Sequence, residues 1–166
     1  MSTAAAPRTQ RGFTLVELII VILIIGILSA LALPRFIDMG KDARIAKAQS
    51  ILGAVRSAAQ VTRAAALVRS ATGASGSVTV DGVSIVTAYG YPQALAASNG
   101  ATGIVDAAGM DTSGNNNDGI TLTGGGASAL VIEVNGAATL STCAVSYTAP
   151  TAAGATPTIT LATAGC

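Results

Sequence analysis

The sequence predicts an α+β protein: a long N-terminal α-helix, membrane-spanning over its first half, packed through its second half on an antiparallel β-sheet head. Three observations lead there. From Phe13 to Leu33 twenty-one residues run with Glu17 as the only charge, and as helix they span about 31 Å, the thickness of a hydrocarbon core. From Arg35 the pattern turns amphipathic, with Ile45, Ala48, Leu52, Val55 and Ala59 at the 3,4,3,4 spacing of one apolar helical stripe. After Gly76 come short runs rich in Val, Ile and Thr, separated by Gly, Asn and Asp, which is the pattern of strands and tight turns.

These observations set four segments: a leader over 1–12, a transmembrane or filament-core helix over 13–34, an amphipathic continuation over 35–72, and a β-sheet head over 73–166. The leader is polar and ends basic, with Arg8 and Arg11. A carboxylate on an apolar span costs roughly 2.5–3.5 kcal/mol even on lenient insertion scales, which marks Glu17 as functional; snorkelling to the headgroups is the plain alternative. The second segment contains Gly26 and ends at Pro34. Glycine costs about 1 kcal/mol in a helix interior, and proline removes a backbone hydrogen bond. Ala-rich sequence to Val68 favours helix, and a Ser/Thr/Gly cluster over Ser70–Gly76 ends it.

In the head, Asp81-Gly82 between Val78–Val80 and Val83–Thr87 predicts a two-residue hairpin. Asn135-Gly136 predicts a second, joining Ala129–Val134 to Ala137–Tyr147. Ile120–Thr123 and Thr158–Leu161 are further strand candidates, and Pro92–Ser98 a short helix begun by proline. The expected product is a sheet of about four to six strands.

Charge is unevenly placed. Phe13–Arg69 carries seven basic and three acidic side chains, whereas Ser70–Cys166 has five acids and no base. The two halves thus have opposite sign, and the natural partner for each is the other half of a second copy. The cations of the helix are therefore expected to meet the acidic head of a neighbour, the alternative being a merely solvated face. Two cysteines, Cys143 and Cys166, follow an export-type segment, which favours a disulfide over a metal site wanting more ligands.

Catalysis has little to draw on. The chain has no His and no Trp, no metal-ligand cluster and no phosphate-binding glycine loop followed by Lys. No catalytic residue, cofactor or resident metal is expected, and the chain is read as a non-enzyme. Without basic or aromatic platforms in the head, direct nucleic-acid binding is not expected either. The oxygen-rich stretch Asp111–Asp118 fails the EF-hand spacing, and Asx-turns account for it without an ion.

Arg11-Gly12-Phe13-Thr14-Leu15-Val16-Glu17-Leu18-Ile19 resembles the class III signal of type IV pilins. The basic leader, the Gly before the cut, the Phe after it, the acid five residues in and the apolar tail all match. The resemblance implies cleavage between Gly12 and Phe13 by a prepilin peptidase, and N-methylation of Phe13. It also implies assembly into a helical homo-oligomeric filament, in which Glu17 pairs with the Phe13 ammonium of an adjacent copy; the alternative is a pair within one chain, since Phe13 and Glu17 are four apart on one helix face. Gly26 and Pro34 become the positions where the packed helix unwinds, and Cys143 and Cys166 the C-terminal disulfide. The expected path runs from the inner membrane, through its pilus assembly machinery, to an extracellular filament for adhesion, attachment or motility. Val86–Ala94, Pro34–Asp38 and Asp42–Ala46 look most like the MSHA branch. The alternatives are a major pseudopilin of a type II secretion system, whose members typically lack the disulfide and carry calcium, or a membrane-tethered surface-binding β-domain. A secretory cut after Ala30-Leu31-Ala32 would give a start at Leu33.

Overall fold

The computed structural model describes residues 13–96, 102–110 and 118–166, and within them leaves out the side chains of 32–38. It divides into two units between Met39 and Gly40, each described by itself. Helix α1 runs Leu15–Val68 and contributes to both.

In the second unit the predicted stripe is the face that α1 buries. Ala48, Ile51, Val55, Ala58, Ala59, Thr62 and Ala66 are buried, and Ile45 and Leu52 pack against the core cluster. Four of these seven side chains are alanine, so small groups dominate the buried face. The helix ends at Val68, as the Ser/Thr/Gly cluster predicts, with Ser70 in left-handed backbone at φ 53°.

Among the described residues seven strands form two antiparallel sheets rather than the single sheet expected. The first has the order β1(Gly76–Val80), β2(Val83–Ala88), β3(Tyr91–Pro92). Its first hairpin turns at Asp81 (φ 48°) and Gly82 (φ 83°), the left-handed pair that a two-residue primed turn requires. Its second turns at Tyr89-Gly90, also left-handed. Gly90, at φ 80°, is in the left-handed region that strains other side chains, and an added Cβ would also displace Nη1 of Arg63. The predicted helix from Pro92 is therefore replaced: Pro92 ends β3, and Ala94 bridges to Gly126. The end of that prediction, residues 97 and 98, lies outside the described residues. A short helix, α2(Ile104–Ala107), follows instead, with the Asp106 carboxylate accepting from the Gly103 amide at 2.8 Å.

The second sheet has the order β4(Ile120–Gly124), β5(Leu130–Val134), β6(Ala144–Thr148), β7(Thr158–Ala162). Its register sets Ile120, Leu122, Leu130, Ile132, Val134, Val145, Tyr147, Ile159 and Leu161 on one face, and these join the helix stripe in one core. The hairpin expected across Asn135-Gly136 is longer than predicted. β6 begins only at Ala144, because Thr139 and Thr142 pair with Gly165 (Thr139 N to Gly165 O 3.2 Å, Gly165 N to Thr142 O 3.0 Å). That binds the connection to the last residues of the chain, beside the Cys143–Cys166 bond.

Tyr147 joins the two sheets. Its side chain is fully buried, and its hydroxyl donates to the Pro92 carbonyl at 2.7 Å. Burial, with a smaller contribution from Tyr91, pushes the phenol above its ordinary range. The folded chain keeps this proton after the unfolded chain loses its own, so the stability present below about pH 10 falls as the pH rises further. Tyr147→Phe strands a buried carbonyl and should cost about 1–2 kcal/mol at neutral pH. It should also flatten the alkaline loss of melting temperature; an alkaline slope equal to wild type would assign that slope to other groups.

Candidate functional site

The chemistry singled out by the sequence lies in the first unit. Gly12, the residue before the expected cut, is outside the described residues, as is the Asp111–Asp118 loop apart from Asp118. Phe13 precedes α1 and is 90% exposed. From there to Leu31, itself 74% exposed, every large apolar side chain of the rod is exposed within the single chain. An apolar helix exposed on all sides has no partner in its own fold and needs one outside it. Among the described residues no helix is long and apolar enough to cross a membrane. The last part of the expected span, Ala32–Pro34, has side chains outside the description.

Glu17 stands in the first turn of α1, where a carboxylate complements the positive end of the helix. Its Oε2 accepts from the Thr14 amide at 3.1 Å and from Thr14 Oγ1 at 3.0 Å, while the Glu17 amide donates to Thr14 Oγ1 at 3.3 Å. This is a capping box, and its T-x-x-E spacing stands in the sequence at Thr14-Leu15-Val16-Glu17. The lone acid of the rod therefore has a local partner in the isolated chain. Gly26 and Pro34 both lie inside α1, which is helical through them. An added Cβ at Gly26 meets nothing within 4 Å, so packing within the chain does not require glycine there.

Cys143 and Cys166 are bonded, at a sequence separation of 23, and both are buried. Arg44 Nε donates to the Cys166 carbonyl at 2.6 Å, tying the bonded segment to α1. Three other cations of the second unit act the same way. Lys47 Nζ donates to the carbonyls of Asp118 and Gly119, Arg63 Nη1 to that of Tyr89 at 2.7 Å, and Arg69 Nη1 to that of Thr79 at 2.8 Å. This corrects the expectation that the basic face as a whole awaits a neighbour: four of its members fasten the helix to the chain's own head. No group of three or more His, Cys, Asp or Glu that could hold a metal ion occurs among the described residues.

Residues 7–33 match the family described as the prokaryotic N-terminal methylation motif. Three relatives illustrate the likeness. The type IV narrow pilus major component PilA5 of Thermus thermophilus is 56% identical over 48 residues, 29% of this chain and 41% of that protein. A fimbrial protein of Pseudomonas aeruginosa is 43% identical over 53 residues, 32% of this chain and 34% of its own. The type IV major fimbrial protein FimA of Dichelobacter nodosus is 43% identical over 49 residues, 30% of this chain and 31% of its own. The chain thus spans well under half the length of each of these relatives. No solved structure matches it. Each of these likenesses covers less than a third of this chain.

Proposed function

We propose that this chain is the precursor of a type IV pilus subunit, cut between Gly12 and Phe13 by a prepilin peptidase, methylated at Phe13, and polymerised through its apolar rod. The observation that carries the proposal is the exposure of that rod on every side from Phe13 to Leu31, directly within a methylation motif. Lipid covers the rod first, with the chain held in the inner membrane. Sibling rods cover it afterwards, once the assembly machinery has extracted it into an extracellular filament serving adhesion, attachment or motility. Transfer between the two is close to neutral for the apolar side chains, since lipid tails and packed helices are similarly apolar. Specificity must therefore come from the acid.

The Cys143–Cys166 bond favours a pilus over a pseudopilus. The segments Val86–Ala94 and Asp42–Ala46 favour the MSHA branch within the pilins. Mass spectrometry of the surface-exposed protein tests the reading directly. The expected N-terminus is N-methyl-Phe13; an intact Met1 or a start at Leu33 overturns it.

A further inference from the structure

We propose that the head carries its own contact between copies: the hairpin tip at Asp81 of one chain seats in a groove beside Arg56 of the next. This inference rests on the filament reading above and names a contact within it.

The charges of the second unit lead to it. Arg44, Lys47, Arg63 and Arg69 are bound to carbonyls of their own head. Asp106 holds the Gly103 amide, Asp118 is engaged, and Glu133 is only 8% exposed. Lys41 and Asp42 are neighbours on α1 and leave no net charge there. Among the described residues Arg56 and Asp81 remain, both exposed and neither side chain with a hydrogen bond or ion pair. They are of opposite sign.

Their settings are complementary. Arg56 borders a groove of about 320 Å³ lined also by Gln60, Tyr91, Thr156, Pro157 and Ile159, with no acid among its lining residues. The Tyr91 ring lies 5.0 Å from the guanidinium carbon of Arg63, so a second cation adds to the positive potential. Asp81 sits at the apex of the β1–β2 turn, where residues 81–84 are all exposed and Val83 is 40% exposed. The left-handed backbone at Asp81 and Gly82 makes this tip a tight turn, with an acid at its end and an apolar side chain beside it. The groove offers a cation for the first, and Pro157 and Ile159 for the second.

Arg69 pins the hairpin near Thr79, and Arg56 lies roughly 20 Å further back along the helix. The two charges do not pair within one chain. A second copy displaced along the rod on the order of 20 Å would bring one tip to the other's groove. Because tip and groove are different surfaces, the contact is heterologous, the kind that builds an open helical filament when its rotation does not close a ring.

A charge exchange tests it in cells that assemble the full-length chain, by the yield of sheared surface filaments. Arg56→Glu and Asp81→Arg should each lower that yield about tenfold, while the double variant recovers it to within about threefold of wild type, because opposite charges face each other again. Cellular amount and the intact Cys143–Cys166 bond serve as folding controls. As an independent readout, Arg56→Cys/Asp81→Cys filaments treated with a short bismaleimide should give a ladder of multimers on reducing gels, which neither single variant gives. Single reversals with normal yield, a double variant no better than its parents, or no ladder overturns the contact while leaving the filament reading intact. Absence of filaments from the wild-type chain overturns both.

Discussion

Removing the Cys143–Cys166 bond is expected to cost the head roughly 3.4 kcal/mol, the chain-entropy value for a loop closed at sequence separation 23. That is a large share of the roughly 5–15 kcal/mol that holds a domain together. The position of the bond adds to the loss. β7 is an edge strand, paired only with β6, and behind it stand the Thr139–Gly165 and Gly165–Thr142 hydrogen bonds and the Arg44 grip on Cys166. All of these depend on the last four residues staying where the disulfide keeps them. Cys143→Ser/Cys166→Ser should therefore lower the melting temperature of the full chain in detergent by about 10–15 °C. Amide exchange in β7 and in Leu140–Cys143 should rise before exchange in β4 and β5. The same pattern is expected on reduction of the wild type. A melting temperature within about 3 °C of wild type would show that packing alone holds this edge.

How far the residue pattern anticipated this structure depended on the range of the interactions. The rod and its stripe are local facts: a period of 3.6 written over Ile45–Ala59 is visible without knowing what it packs against, and the structure buries that face. The Asp81-Gly82 hairpin is equally local, and its register, Val80 opposite Val83, follows from the turn alone. The misreadings have distant causes. The connection after Asn135-Gly136 is lengthened by pairing with Gly165, some thirty residues on, which no window around the turn reveals. β3 and α2, at two and four residues, are too short to show a period. The roles of the cations were hidden for the same reason, since the partner of Arg44 is 122 residues away. Thr14 is the opposite case. Its spacing to Glu17 marks a capping box in plain view, inside a run whose apolar length draws attention away from it.

That capping box sharpens the prediction for Glu17. Glu17→Ala removes both a helix cap and the only charge of the apolar run from Phe13 to Leu33, and the two losses differ in size. A cap at an exposed helix start is worth about 0.5–2 kcal/mol, too little to stop a polymer held by many contacts. A methylated ammonium left unpaired among packed apolar rods costs several kcal/mol, enough to reduce filament yield by about a hundredfold or more. Thr14→Ala separates the two: it discards the cap but keeps the acid, and near-normal filaments are expected. Glu17→Gln keeps an acceptor for Thr14 but not the charge, and should fail as Glu17→Ala does. Phe13 and Glu17 are four apart on one helix, so the pair could also close within a single chain. Mixing decides between these arrangements. If the acid of one chain meets the amine of another, Glu17→Ala chains should enter filaments only alongside wild type, where neighbours satisfy part of the pairing. Filaments built from Glu17→Ala chains alone, at wild-type yield, would remove the acid from any part in assembly and leave it as the cap that the isolated chain displays.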